Sequence, residues 1–224
     1  MTQPVVSPVH IRPYHPADRQ AVRRICFETG FMGESAEWFW RDQRSFADMF
    51  CGWWTDHRPQ SALVAELGGE VAGYLLGCDD SRLAAHEGLT LFRHLLGRGC
   101  VVRPGTAGVM WRILGDAVVD GIRRQLPLSR VWDERWPAHL HIDLLPACRG
   151  QGVGALLVRR WLTTLRQQGI AGCHLQTMTE NHAAVAFFES MGFEKRGEAA
   201  PAPGFRTHDG ARLHVQLMVQ HLGP

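Results

Sequence analysis

The stretch Arg149-Gly150-Gln151-Gly152-Val153-Gly154 decides how this chain folds. It lies between a predicted strand, His139 to Leu145, and a predicted helix, Ala155 to Gln168. Three glycines and a basic residue entering a helix let backbone N–H groups approach a phosphate without hindrance from Cβ atoms. An anionic cofactor at the helix N-terminus is the first expectation.

Outward from this turn, the order is that of a mixed α/β sheet. Downstream come a strand (Gly172 to Thr177), a helix (Asn181 to Met191), a strand (Phe193 to Gly197), a flexible loop (Ala199 to Gly204) and a final strand, Ala211 to Val219. In that last strand Leu213, Val215, Leu217 and Val219 alternate with polar neighbours. Upstream, His10 to Pro13 suggests a short strand. Pro16-Ala17-Asp18 opens a helix through Gly30, with Ala21, Val22, Ile25 and Cys26 on its apolar side. A second helix is expected over Ser35 to Cys51. Two β-rich runs, Ser61 to Leu67 and Glu70 to Gly77, flank Gly68-Gly69 as a hairpin. Ser81 to Leu126 has helical patterns around Leu91, Phe92, Leu95 and Leu96, and again around Met110, Ile113, Leu114, Val118 and Ile122. It is expected as a helical insertion that Pro104-Gly105 breaks and Pro127 ends.

The 224 residues, 45% of them hydrophobic, suit one domain over 1–224 with a substantial core. Twenty-four basic and 22 acidic residues nearly cancel without forming a basic block, so no nucleic-acid partner is expected. Cys26, Cys51, Cys78, Cys100, Cys148 and Cys173 are scattered, with no CxxC pair or Cys/His spacing suited to zinc. Reduced thiols, no metal and a cytoplasmic location follow as expectations. No segment is apolar for the ~18 residues of a membrane span.

Three classes of phosphate site use turns of this kind. A P-loop needs Gly-x-x-x-x-Gly-Lys and then Ser or Thr, which is absent. Gly150, Gly152 and Ala155 fit the relaxed dinucleotide pattern. Yet the strand His174-Leu175-Gln176-Thr177 lacks the acidic residue expected about 20 positions on, which leaves a nucleotide-dependent oxidoreductase as a remote alternative. In the third class, Arg149, Gly152 and Gly154 resemble the acyl-CoA pyrophosphate loop of the GCN5-related N-acetyltransferase (GNAT) family, Gln/Arg-x-x-Gly-x-Gly/Ala. Leu144-Leu145-Pro146 resembles the strand end before that loop. Asn181, Ala184, Phe187, Phe188 and Gly192-Phe193 resemble the later Asn-x-x-Ala...Tyr...Gly-Phe segment. The resemblance spans Pro137 to Glu198. Ile11-Arg12-Pro13 with Asp18, and Val64 to Gly77, add weaker agreement.

The resemblance implies a GNAT-like fold and direct transfer of acetyl from acetyl-CoA to a small-molecule or peptide amine. Leu144, Leu145, Arg149, Gly150, Gln151, Gly152, Val153, Gly154, Asn181, Ala184, Phe187 and Phe188 would hold the cofactor, with a backbone N–H near Leu144 or Leu145 polarising the thioester carbonyl. The insertion would shape the acceptor side. For proton removal the candidates are His139, His141 and Asp143, which share a face if their strand is regular. His139-Leu140-His141 also resembles the paired histidines of the arylalkylamine N-acetyltransferases, one residue closer to the glycine loop. Such a shift reverses facing unless a bulge compensates.

Trp132, Asp133, Glu134 and Trp136, just before this strand, are candidates to receive a cationic amine. Helical spacing assigns most of Trp38, Phe39, Trp40, Phe46, Phe50, Trp53 and Trp54 to packing. Phe188 stands where the family often has a tyrosine that protonates the departing thiolate. That departure motivates the alternative of a non-catalytic acyl-CoA-binding or sensing domain. Homodimerisation by pairing through the final strand is a further expectation.

Overall fold

The computed structural model describes residues 9–84, 93–123 and 133–223. Seven strands, β1 (Val9–Pro13), β2 (Ala62–Leu67), β3 (Glu70–Cys78), β4 (Ala138–Leu144), β5 (Gly172–Met178), β6 (Glu194–Arg206) and β7 (Arg212–His221), form one sheet in the order β1-β2-β3-β4-β5-β7-β6. All neighbours are antiparallel except β4 and β5. The Gly68-Gly69 hairpin joins β2 to β3 as expected, with both glycines at positive φ.

The helices are α1 (Arg19–Thr29), α2 (Gln43–Ala47), α3 (Trp53–His57), α4 (Ala107–Ile122), α5 (Val153–Gln167) and α6 (His182–Ser190). Val22, Ile25, Cys26 and Thr29 recur at helical spacing on α1 and are buried. Leu157, Val158, Trp161, Leu162 and Leu165 do the same on α5. Each large apolar side chain so buried contributes about 1.5–3 kcal/mol.

Side chains alternate across the sheet, so Tyr74 and Leu76 join α1, α2 and α4 in one core, whereas Leu75, Leu140 and Leu175 join α5 and α6 in the other. The first core lies on what is called below the α1 face.

Three expectations are revised, and a fourth falls only partly on the described residues. Residues 35–51 do not form one helix: a 3-10 turn (Ala36–Trp38), α2, a π turn (Asp48–Gly52) and then α3 follow one another. Ala199 to Gly204 is part of β6, not a loop. Within the insertion, residues 93–97 and α4 are helical, but Leu91, Phe92 and its end at 124–126 lie outside the described residues. On α4 Met110 is buried, whereas Leu114, Val118 and Ile122 point outward. Finally, β7 is paired on both sides, by β5 and β6, so the final strand offers no free edge for a dimer.

Candidate active site

Strand β4 runs against β3 without a register shift from Gly73↔Leu144 to Cys78↔His139. His139, His141 and Asp143 therefore share one face, and it is the α1 face. The register sets Tyr74 of β3 directly beside Asp143. Its phenol donates to Asp143 Oδ2 at 2.5 Å and lies 3.1 Å from His141 Nε2. His141 Nε2 in turn stands 3.2 Å from Asp143 Oδ2. Cys26, carried on the buried side of α1, closes the group: its Sγ, a His141 nitrogen and an Asp143 oxygen lie within 4.8 Å of one another.

These contacts set the charges. Burial pulls His141 down, but the charge and hydrogen bond of Asp143, with a contact to the Cys26 thiol, outweigh it and push the imidazole up to about 10. His141 is thus held as the imidazolium beside Asp143. Burial, then the charge of Asp143, keeps the Tyr74 phenol protonated well above its usual range. The Cys26 thiol is held up by a hydrogen bond with Cys51 and by burial. His139 behaves differently: burial, then the neighbouring His174 and His141, push it well below the ordinary histidine value. Its ring lies 5.1 Å from His174 and 5.7 Å from Trp54, and its buried Nδ1 has no hydrogen-bond partner among the described residues. His174 is itself fixed by Trp136 O at 2.7 Å.

The ladder between β4 and β5 contains only Ala138↔Cys173 and His139↔His174. Beyond it the strands separate, leaving a gap beside the rest of β4. Leu145 N–H donates to Ala72 O on the β3 side. Alternation along the strand turns the N–H of Leu144 to the other side, into the gap. Leu144, rather than Leu145, therefore keeps a donor for a carbonyl oxygen.

The glycine turn stands at the end of this gap. Gly150 (φ +70°) and Gly152 (φ +76°) adopt left-handed backbone, and among the described residues, their own chain neighbours aside, no heavy atom lies within 4 Å of where either Cβ would stand. That open approach at the head of α5 fits a pyrophosphate. The other turn residues have structural partners. Arg149 donates through Nε to Leu144 O (2.9 Å) and through a terminal nitrogen to Gly33 O (2.7 Å). Gln151 bonds Ala147 O, and Asn181 Oδ1 caps α6 by accepting from Ala184 N–H. Val153 and Gly154 are buried, with Phe187 against Gly154. Phe188 packs between Phe187 and Phe193 in the core on the α5 side.

Among the described residues, the expected acceptor group before β4 is not brought together. Trp136 is only 4% exposed, packs on Leu217 and Val219, and lies beneath Arg135 and Arg196. Asp133 is taken up by Arg135, two residues on, and Glu134 is exposed. Trp132 lies outside the described residues. These residues precede the end of β4 that, across its seven residues, is about 20 Å from the glycine turn.

A family model described as "Acetyltransferase (GNAT) family" matches residues 29–193. The chain belongs to the GNAT acetyltransferase family. Among solved structures, this GNAT protein is 27% identical to SsHAT, with 96% of this chain and 99% of that chain covered and a TM-score of 0.70. It is 18% identical to yncA from Salmonella typhimurium, solved with its cofactor acetyl-CoA, over 96% and 94% of the two chains (TM-score 0.57). Against the ribosomal-protein-S18-alanine N-acetyltransferase from Escherichia coli the values are 16%, 97%, 96% and 0.53. The last two show likeness of fold alone.

As a GNAT member the chain is an acetyl-CoA-dependent N-acetyltransferase acting on an amine. Among the described residues no helix is long and apolar enough to cross a membrane. Sequence patterns alone did not reveal Tyr74 and Cys26 as members of the site. The hairpin signal placed Tyr74 on a strand, but the β3–β4 register that sets it on Asp143 has no local signature.

Proposed function

We propose that the GNAT protein transfers acetyl directly to a primary amine bound on the α1 face, with His141 as proton acceptor and Asp143 as the anchor for the amine. The observation that carries this is the single carboxylate of Asp143 shared by His141 and Tyr74 beside the open edge of Leu144. Acetyl-CoA, when bound, supplies an activated acetyl thioester. The N–H groups at Gly152 and Val153 would face its pyrophosphate, and the N–H of Leu144 would donate to its carbonyl oxygen.

An ammonium group arriving at Asp143 makes two cations compete for one carboxylate. That lowers the affinity of His141 for its proton, which leaves to solvent. Neutral His141 would then take one proton from the bound ammonium, which frees the amine lone pair for attack; as the C–N bond forms and the C–S bond breaks, the second amine proton would leave with the CoA thiolate. Tyr74, with no exposed surface, holds Asp143 in place rather than touching the acceptor. His139, enclosed by Trp54 and His174, is assigned to positioning the strand. The six unpaired cysteines support a reducing, cytoplasmic compartment.

The test is steady-state acetylation of an amine panel by His141→Asn across pH. The expected result is a fall in kcat of about 10²–10⁴-fold, with loss of the rising alkaline limb and near-native acetyl-CoA affinity. A variant that keeps both rate and limb would exclude His141 as the base.

A further inference from the structure

The same corner of the molecule holds a third donor, Cys26, that the proposed acetyl transfer does not use. Cys26 contributes a thiol sulfur from α1, His141 an imidazole nitrogen and Asp143 a carboxylate oxygen from β4, and all three atoms lie within 4.8 Å of one another. His141 Nε2 and Asp143 Oδ2 are 3.2 Å apart. In a tetrahedral zinc site, with bonds of about 2.0–2.3 Å, ligand atoms stand about 3.3–3.8 Å from each other. The nitrogen and oxygen are already near that spacing, and Cys26 has to approach by no more than about 1 Å. His141 and Asp143 keep 29% and 17% of their side chains exposed, so an ion has a way in from solvent. Cys26 is 1% exposed and forms the floor.

We propose that Cys26, His141 and Asp143 form a binding site for a zinc-class divalent cation, and that this cation and the acceptor amine exclude one another. Mixed sulfur, nitrogen and oxygen ligation selects zinc or cobalt over magnesium or calcium, which take oxygen ligands. Binding sends the Cys26 thiol proton and the His141 imidazolium proton to solvent. The two charges of the ion are then balanced by one thiolate and one carboxylate, which suits a partly buried pocket. Three protein ligands leave a fourth position for water or the Tyr74 oxygen. The ligands come from residues 26, 141 and 143, which is why no spacing in the sequence announces them.

Cation binding is independent of the role proposed for His141; exclusion of the amine rests on it. The test is titration of the full chain with Co2+ in a thiol-free buffer. One equivalent should give a thiolate-to-cobalt absorption band in the near ultraviolet. The band should vanish in Cys26→Ser and persist in Cys51→Ser, and His141→Asn should weaken binding by at least about tenfold. Retained acetyl-CoA affinity reports that each variant is folded. No band, a band that survives Cys26→Ser, or one lost with Cys51 alone overturns the site. Zn2+ should inhibit competitively against the amine. Co2+ binding as stated, with inhibition that the amine does not relieve, retains the cation site and overturns the exclusion.

Discussion

Gly152 heads α5 with φ +76° and open space where a side chain would begin. An aspartate there would strain the backbone and set a negative charge against the cofactor pyrophosphate. Gly152→Asp is therefore expected to weaken acetyl-CoA binding by at least about tenfold, or about 1.4 kcal/mol, in calorimetry. Unchanged affinity in a folded variant would remove the turn from the cofactor site. At this scale the sequence was informative wherever chemistry is local. The glycines and the alternation of His139, His141 and Asp143 could be read directly. The partners of that trio could not, because Tyr74 and Cys26 lie 67 and 115 residues before His141, so that only register and helix docking bring them there. The acids and tryptophans before β4 show the opposite case: among the described residues, near neighbours in sequence satisfy one another, as Arg135 does for Asp133 and Trp136.

Among the elements, the entry to α1 depends on one carboxylate. Asp18 accepts two hydrogen bonds from Arg12, at 2.7 and 2.8 Å, and one from His15 N–H at 2.7 Å. Its side chain is 8% exposed. The Arg12 hydrogen bonds, working against burial, hold Asp18 below the usual carboxylate range. A depressed folded value means that this stabilisation is present above the unfolded value, near ~4, and is lost as pH falls through the folded one. Asp18→Asn is expected to cost about 2 kcal/mol near pH 7 in urea unfolding, with the gap to the parent protein narrowing below about pH 4. A gap that stays constant to pH 2 would show that charge is not its source. Elements with a simple period, α1, α5 and the hairpin, could be placed from sequence. β6 could not: Pro201, Pro203 and Gly204 read as a loop, yet an edge strand tolerates proline because one side of its backbone has no partner to bond. Residues 35–51 failed differently, since their aromatic spacing is that of a helix while the chain leaves helical conformation at residues 39–42, between the turn Ala36–Trp38 and α2.

For the molecule as a whole, the sheet separates two tasks. The α5 side presents the glycine turn, and the α1 side presents His141, Asp143 and Cys26, with the gap between β4 and β5 as the passage from one to the other. Arg149 spans these halves, since its guanidinium fastens the glycine turn, through Leu144 O, to Gly33 in the segment after α1. If Arg149 turns to the phosphate when acetyl-CoA binds, its bond to Gly33 O is given up, and the segment after α1 is expected to loosen before the amine binds. The expected kinetic signature is a compulsory order, donor before acceptor. Dead-end inhibition by a desulfo-CoA analogue should be competitive against acetyl-CoA and noncompetitive against the amine. Arg149→Ala, which unfastens the segment permanently, should let the two substrates bind in either order.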